Sequence, residues 1–445
     1  MNSIPLDKQL VDQTCLNFGL RNAHELGAAT IRQLVGVVKD IEKATGIEFV
    51  HMELGEPGLP AEQIGIEAEH KALLAGKGSK YPIITGIPEV KHWGHEFIKA
   101  FINLDIPEEC IVPSVGGMQA AFALNTTMSQ LSKQKDTVLF VDPCFPVQKQ
   151  QCKVIGVRVD AFDVADFRGD KLEAELERHF KTGRIAAMLF SNPNNPSWMC
   201  LTEQELEVIG RLATKYDVIV IEDLAYLNMD FREKRGVPYQ APYQPTVGRY
   251  TKNCVHVISC SKMFSYAGQR GAIIAVEPEL AQKCYPLLGE RYGNDGQFMR
   301  NFIYMILYSL SSGVTHSVQF GMAAMFEAAC KGQLRFVENT REYARRAQKI
   351  KEIMLRNGFR IVYDTDADGR PVGDGFFFTF TYKNWTGEQL LNKLIYCGIS
   401  AISLSSTGAM REGLRGCSSA IRDDQYEELE QRLAQFNHDF CQIDS

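Results

Sequence analysis

Short apolar runs alternate with amphipathic helical patterns through the middle of the chain. Runs rich in Val, Ile, Leu and Phe predict strands at 138–141, 186–190, 218–221, 255–258 and 272–276. Such near-continuous apolar strands are typically buried on both faces of a sheet. Between the second and third runs, Thr202 and Glu205 have capping-box spacing and are followed by apolar positions on one helical face. Repeated strand-helix-strand units predict an α/β domain with a mostly parallel sheet, whose ligand site lies beyond the carboxyl ends of the strands.

The pattern changes at about residue 333, where a charged amphipathic helix is predicted to run toward Arg356. Strand patterns follow at 359–362 and 376–382. Thr386 has the capping-box position of a further helix, and apolar spacing from residue 426 predicts a final one. These elements predict a smaller α+β domain that is closely joined to the first.

Charge and cysteine content narrow the possible functions. The 445 residues carry 48 Lys and Arg against 54 Asp and Glu, for a formal charge of -6, without a long block of like charge. We therefore expect neither a nucleic-acid nor a membrane partner. The 12 cysteines form no Cys-x-x-Cys pair and no apolar leader follows Met1, so we expect a reduced, cytoplasmic protein without disulfides. The apolar run at 302–310 is too short to span a membrane and predicts a buried helix.

Ser259-x-Ser261-Lys262 is the most informative motif, because it places an amine at the end of a predicted buried strand. Burial disfavours the charged form of a lysine and makes its nucleophilic neutral amine accessible near neutral pH. Gly268 and Arg270 follow closely and could bind an anion. Taken alone, the motif is more typical of a solvated lysine beside loop serines, so it needs support from elsewhere in the chain.

Three further motifs follow other predicted strands. Asp223 and Tyr226 come after the strand at 218–221, and a turn rich in Asn and Pro occupies 191–196. Gly116-Gly117-Met118 precedes a helical pattern, where free backbone N–H groups bind phosphate well. Its spacing matches neither a dinucleotide-binding fingerprint nor a nucleotide P-loop. Each motif alone could equally be a cap or a structural turn.

Together these motifs resemble those of the class I and II aminotransferases, the aspartate aminotransferase-like enzymes of fold type I that use pyridoxal 5'-phosphate. The resemblance covers roughly residues 53 to 417. It implies a large domain at 70–325, with a mostly parallel sheet of seven-stranded type between helices, and a small α+β domain formed by 1–69 and 326–445. It also implies a homodimer that moves an amino group from an α-amino acid to a 2-oxo acid through a Schiff base on Lys262.

The resemblance assigns roles to individual residues. Lys262 would hold the cofactor and shuttle the substrate proton, Asp223 would keep the pyridine nitrogen protonated, and Tyr226 would hydrogen-bond the phenolic oxygen. The further residues expected at the cofactor are Gly116, Gly117, Met118, Phe145, Asn195, Ser259, Ser261, Arg270 and, from the neighbouring subunit, Tyr81. The residues expected at the substrate are Gly55, Asn195 and Arg415.

Some positions depart from the family pattern or lie outside it. Ser197-Trp198 stands where the family usually has Thr or Ser and then Gly, so Trp198 either narrows the substrate entrance or packs locally. Gly271 follows the phosphate arginine one residue earlier than usual. His92 and His95 have metal-ligand spacing without a third ligand, so no metal site is expected. Arg291 and Arg300 lie in no family motif and are not assigned to the site.

Two alternative functions stay open at this stage. A carbon-sulfur β-lyase could use the same cofactor residues, because they serve carbanion chemistry whatever the later fate of the carbanion. A catalytically inactive ligand-binding relative could keep the fold without the reaction. The sequence leaves the amino acid and the 2-oxo acid unidentified, since side-chain specificity depends on pocket shape.

Overall fold

The computed structural model describes residues 4–441. Its strands are β1 (Val50–His51), β2 (Ile111–Val115), β3 (Thr137–Asp142), β4 (Arg158–Asp163), β5 (Ile185–Ser191), β6 (Ile219–Asp223), β7 (Cys254–Ser259), β8 (Gly271–Val276), β9 (Phe359–Ile361), β10 (Phe377–Tyr382), β11 (Ile399–Ser400), β12 (Ile402–Ser403) and β13 (Leu414–Cys417). Its α-helices are α1 (Lys8–Leu16), α2 (Ile31–Thr45), α3 (Gln63–Leu74), α4 (Pro88–Ile102), α5 (Gly116–Met128), α6 (Pro146–Val154), α7 (Lys171–Phe180), α8 (Glu203–Lys215), α9 (Cys260–Met263), α10 (Pro278–Gln282), α11 (Pro286–Tyr292), α12 (Phe298–Asn301), α13 (Tyr308–Leu310), α14 (His316–Cys330), α15 (Phe336–Thr340), α16 (Glu342–Arg356), α17 (Gly387–Tyr396) and α18 (Tyr426–Cys441).

The central sheet has seven strands in the order β2-β8-β7-β6-β5-β3-β4. The pairs β7-β6, β6-β5, β5-β3 and β3-β4 are parallel, whereas β8 runs antiparallel to both β2 and β7. The five apolar runs form β3, β5, β6, β7 and β8, so the predicted α/β class and mostly parallel sheet are confirmed. This order brings the carboxyl ends of β2, β3, β5, β6 and β7 to one edge of the sheet.

Local sequence signals explain where several helices begin. Thr202 accepts a hydrogen bond from the backbone N–H of Glu205 at 3.2 Å, and the Glu205 carboxylate accepts one from the Thr202 N–H at 2.9 Å. Thr386 forms the same capping box at the start of α17. Each box satisfies backbone donors that the first helical turn leaves free. Both predicted capping boxes are therefore present.

Two helical expectations need correction. The predicted helix from residue 333 toward Arg356 is divided into α15 and α16, which meet at Arg341. The segment at 302–310 continues from α12 as a π-helix, Phe302–Leu307, followed by α13. It buries Phe302, Ile303, Ile306 and Leu307, but it exposes Tyr304, Tyr308 and Leu310, so it is a surface-facing segment with one buried side.

Two hydrophobic cores occupy the described chain. The larger surrounds the seven-stranded sheet, and the smaller is built from residues between 6 and 52 and between 350 and 436. The smaller core covers a four-stranded sheet in the order β12-β13-β10-β9 and the β1-β11 pair. The domain limits at 69 and 326 stay predictions. Helix α3, which begins before residue 69, packs against α14 of the larger core.

Across residues 4–441, we find no helix with the length and apolarity that crossing a membrane requires. The cysteines from Cys15 to Cys417 are all free thiols.

Candidate active site

Polar groups converge at the sheet edge where β2, β5, β6 and β7 end. Ser191 and Asp223 are register partners at the ends of β5 and β6, and Asp223 pairs with Val257 of β7. Lys262 lies in the short helix α9, which begins directly after β7. Because parallel strands end together, sequence motifs up to 150 residues apart meet here.

Lys262 is held between the two cores. The Ser259 hydroxyl caps α9 by accepting the Ser261 N–H at 3.2 Å, which fixes the turn that carries the lysine. The Lys262 ammonium donates to the Gly55 carbonyl oxygen and lies 5.2 Å from the centre of the Phe376 ring. Burial lowers the pKa of Lys262 to about 8, although Cys417 and Glu56 partly oppose this effect. Among residues 4–441 no carboxylate forms an ion pair with it, so a neutral amine is accessible near neutral pH.

Asp223 is a carboxylate that has no cationic partner among residues 4–441. Its two oxygens accept hydrogen bonds from the Ala225 N–H at 3.1 Å and from the Gln148 side-chain amide at 3.0 Å. Burial raises the pKa of Asp223 to about 6, because two neutral donors do not replace the lost hydration. Within the described chain no Lys, Arg or His lies in ion-pair distance of it. A ligand that brings a positive charge to this carboxylate would therefore be favoured.

Asn195 and Tyr226 meet beside Asp223. The Asn195 side-chain amide donates to the Tyr226 hydroxyl at 3.5 Å, and both side chains are buried. Burial raises the pKa of the Tyr226 phenol well above its ordinary value, so the phenol stays protonated and can donate a hydrogen bond.

Trp198 lies beneath this pair rather than at an entrance. It is 1% exposed, and its ring meets those of Tyr226 and Phe377 edge-on, with centroids 5.3 and 6.2 Å away. A Cβ added at Gly375 would lie 2.1 Å from the indole. The turn after Pro196 accommodates the ring through a positive φ of 62° at Trp198. Trp198 therefore packs against Tyr226, against Phe377 of β10 and against Gly375, which precedes that strand.

Gly116 and Arg270 form an anion-binding corner at the start of α5. Gly116 has a φ of 66°, and a Cβ there would lie 2.5 Å from Arg270 Nη2. Within the described chain no side chain caps α5, so the N–H groups of its first turn are free to bind an anion beside the guanidinium. Arg270 itself has a φ of 58° and donates to the Ala267 carbonyl oxygen at 2.7 Å, which orients it.

Arg415 comes from β13 of the smaller sheet and is 2% exposed. Its guanidinium donates to the Glu53 carbonyl oxygen and lies 4.7 Å from the centre of the Phe377 ring, whereas its Nε has no hydrogen-bond partner in the part of the chain that the structure describes. A buried donor without a partner is costly, so this arginine is arranged to bind an anionic group. Gly55 lies nearby on the segment after β1, where it accepts from Lys262.

Other predicted residues lie at the margin of this cluster or away from it. Tyr81 is 88% exposed and makes no contact with the site within the described chain. Phe145 is half-buried at the start of α6, next to the turn that presents Gln148. His92 contacts Glu108 at 2.9 Å and His95 contacts the Ile106 carbonyl at 2.8 Å, so the two imidazoles have separate partners.

The sequence did not reveal three contributors to the site: Gln148, Phe376 and Phe377. Gln148 follows the Pro143-Cys144-Phe145 motif by one helical turn, and that spacing was the available signal. Phe376 and Phe377 belong to a strand pattern that gave no hint of which face meets Lys262 and Arg415.

The chain is similar to several known proteins. The family model described as aminotransferase class I and II matches residues 55–433. A probable aspartate aminotransferase of Methanocaldococcus jannaschii is 23% identical over 80% of this chain and 85% of that protein. An asparagine–oxo-acid transaminase of Streptococcus mutans is 26% identical over 54% of this chain and 59% of that protein. The structure of aspartate aminotransferase from Thermus thermophilus with maleate superposes with a TM-score of 0.72, covering 92% of this chain and 96% of that one at 19% identity.

Proposed function

The chain belongs to the class I and II aminotransferases, and we propose that it uses pyridoxal 5'-phosphate, bound at the Lys262 site, to move amino groups from an α-amino acid to a 2-oxo acid. The observation that carries the proposal is the meeting of three groups with incomplete partners, Arg415 buried and Lys262 and Asp223 half-buried, beside one sheet edge. Within residues 4–441, Lys262 donates to a backbone carbonyl and has no carboxylate partner, Asp223 has no cation, and Arg415 Nε has no hydrogen-bond partner. Aminotransferase activity itself follows from the family.

The donor set fits the proposed cofactor group by group. The α5 start with Arg270 suits the phosphate, Asp223 suits a protonated pyridine nitrogen, and Tyr226 with Asn195 suits the phenolic oxygen. Phe145, Ser259 and Ser261 line the same strand ends. When bound, the cofactor supplies an electron sink for the carbanion that forms as a substrate loses its Cα proton.

The remaining chemistry belongs to the protein's own side chains. The pKa of about 8 leaves an appreciable fraction of Lys262 neutral at physiological pH, so its amine can accept the Cα proton and return it to another atom. Arg415 orients the substrate by binding its α-carboxylate, and the Phe377 ring holds the guanidinium plane. The buried Trp198, Tyr226 and Phe376 rings exclude water from this end of the site.

We propose that the active form is a homodimer in the cytoplasm. Exposed apolar side chains cluster in sequence around Tyr81, at Ile66, Leu73, Leu74 and Ile83, and a second copy would bury them. Tyr81 of that copy would then contribute to the phosphate corner. The free thiols of the described chain fit a reducing compartment. Light scattering of the purified protein should give twice the mass of one chain, and a monomer that is fully active would refute the dimer.

The decisive test of the reaction uses amino acids one at a time, starting with aspartate and glutamate. With the amino acid alone, we expect about one equivalent of 2-oxo acid per chain, and continuous turnover should require a second 2-oxo acid. Continuous release of ammonia or sulfide from an amino acid alone would instead establish a lyase. Lys262→Ala should lose both the single turnover and the continuous reaction, whereas Lys181→Ala, at an exposed helix end, should keep them.

A further inference from the structure

A second polar cluster lies at the opposite end of β7 from Lys262. Cys254, His256 and Glu277 are all buried, and their ligand atoms lie within 4.8 Å of one another. Six strand residues at about 3.3 Å each separate this end from the lysine by nearly 20 Å, so the cluster is distinct from the cofactor site. The proposed reaction does not use it.

The sheet register assembles the three residues. Cys254 and His256 are two apart on β7 and so share one face of the sheet. Glu277 follows β8 directly, and its N–H donates to the Cys254 carbonyl oxygen at 3.2 Å, which places it beside the cysteine across the antiparallel pair. The local spacing Cys-x-His is visible in the sequence, but the third residue joins only through the fold.

The distances suit a tetrahedral divalent metal. Cys254 Sγ and His256 Nε2 are 3.6 Å apart. Bonds of about 2.3 Å to sulfur and 2.0 Å to nitrogen at a tetrahedral angle would separate these two atoms by roughly 3.5 Å. Small movements of the Glu277 side chain would bring in the carboxylate. The Thr251 carbonyl oxygen, 3.5 Å from the sulfur, lies in reach of the fourth position.

The imidazole is already oriented as a metal ligand. Glu222, the register partner of His256 on β6, contacts His256 Nδ1 at 3.0 Å and accepts a hydrogen bond from Thr246 at 2.5 Å. A carboxylate at Nδ1 places the ring proton there and turns the Nε2 lone pair toward Cys254. Metal-bound histidines commonly have this support from a carboxylate.

The charges also favour a cation. Glu222 is fully buried with one carboxylate oxygen unpartnered, and Glu277 is buried with Lys252 at 3.1 Å as its ion-pair partner. Lys252 is exposed, so it screens the cluster from outside without filling its centre. Two buried carboxylates and a cysteine face one imidazole and one lysine, which leaves room for a divalent ion.

We propose that Cys254, His256 and Glu277 bind one zinc ion that ties β7 to β8 and stabilises the fold. Binding would release the thiol proton and leave Cys254 as a thiolate ligand. The ion is structural rather than catalytic, since all three ligands are buried away from solvent and far from Lys262. This departs from the sequence-based expectation of no metal site.

In the test, the holoenzyme is treated with a chelator, given zinc alone and desalted. The zinc that each chain retains is then measured. We expect about one equivalent of zinc per chain and a higher melting temperature than in the chelated protein. Cys254→Ser should lose both effects. Cys152→Ser, an equally buried cysteine in the same core, should keep them, and so should Cys284→Ser, which removes the exposed thiol as an adventitious ligand.

Cobalt substitution of the wild-type protein gives a second readout that needs no folded variant. A thiolate-to-cobalt charge-transfer band at one equivalent would support the site. Absence of retained zinc, a cobalt spectrum without that band, or equal zinc binding by Cys254→Ser would overturn the proposal and leave a polar cluster only. None of these readouts depends on transamination, so their failure would not affect the proposed function.

Discussion

Replacing Asp223 with Asn should stabilise the cofactor-free protein at pH 8 while it damages the enzyme. Burial raises the pKa of Asp223 from its ordinary 3.8 to about 6. A shift of about 2 units corresponds to roughly 3 kcal/mol at 1.4 kcal/mol per unit. Between about pH 4 and pH 6 the folded chain keeps a proton that the unfolded chain has released. The free energy of unfolding therefore falls as the pH rises through this window and stays lower above it.

The net gain can be worked from the contacts. Asn removes the buried charge but can accept from only one of the two donors, the Ala225 N–H and the Gln148 amide. A lost hydrogen bond costs about 1 kcal/mol, so the variant should gain roughly 2 kcal/mol at pH 8. Near pH 4.5, where the folded wild-type Asp223 is already protonated, the gain should fall to about zero. Urea unfolding of the cofactor-free proteins at the two pH values measures both differences.

Glu205→Gln is the matched control, because it should lower the free energy of unfolding at pH 8 instead of raising it. Burial acts to raise the pKa of Glu205, but hydrogen bonds and charge pairing with Arg168, at 2.8 Å for both oxygens, outweigh it and lower the pKa. Removing that carboxylate should destabilise the protein by about 2 kcal/mol at pH 8, because Arg168 loses a charged partner and keeps only Asp366 and the Cys200 carbonyl oxygen.

The same Asp223→Asn enzyme should bind pyridoxal 5'-phosphate more weakly and lose at least tenfold in kcat/KM, since a charge-assisted contact is worth about 1.5–3 kcal/mol. An Asp223→Asn protein that is less stable than wild type at pH 8, or whose stability difference is the same at both pH values, would refute the reasoning. It would show that Asp223 is adequately solvated or paired without a cofactor.

Three further changes test other parts of the site. Acetylation of Lys262 in the cofactor-free protein, followed by peptide mapping, should be half-maximal near pH 8, because burial lowers the pKa of its ammonium; a midpoint near 10 would contradict this. Arg415→Lys should raise KM for the amino acid about 10–100-fold through loss of the planar fork, with a smaller change in kcat in steady-state assays. Trp198→Ala should cost about 3–5 kcal/mol, measured by urea unfolding, because it empties a buried space beside Tyr226. If Trp198→Ala hardly changes the free energy of unfolding, neighbouring side chains must fill the space that the indole leaves.

The sequence predicted the parts of the site that are local. Lys262 and Asp223 each lie within a few residues of the end of a predicted apolar strand, so their placement at one sheet edge followed from the parallel arrangement. The capping box at Thr202 was equally local and is confirmed by its hydrogen bonds.

Contacts between distant segments could not be predicted in this way. Gln148 reaches Asp223 across 75 residues, and Lys262 donates to Gly55 across 207 residues. Such contacts depend on how two cores are docked and on side-chain rotamers, which no spacing rule encodes. Trp198 is similar, since the sequence showed an unusual large residue in a turn but not the space above Gly375 that receives it.

The two ends of β7 illustrate how the fold divides function from stability. At its carboxyl end, Lys262 and the neighbouring Asp223 are half-buried without an ion-pair partner among residues 4–441, which favours ligand binding at the expense of the empty protein. At its amino end, His256 is paired with Glu222 and close to Cys254, so the same strand is held by polar contacts far from the reaction. Because the strand is continuous, polar contacts at its amino end help to hold in place the strand that carries Lys262 at its other end. Loss of the Cys254 cluster should therefore lower the melting temperature of the enzyme more than it changes the kcat of the molecules that remain folded.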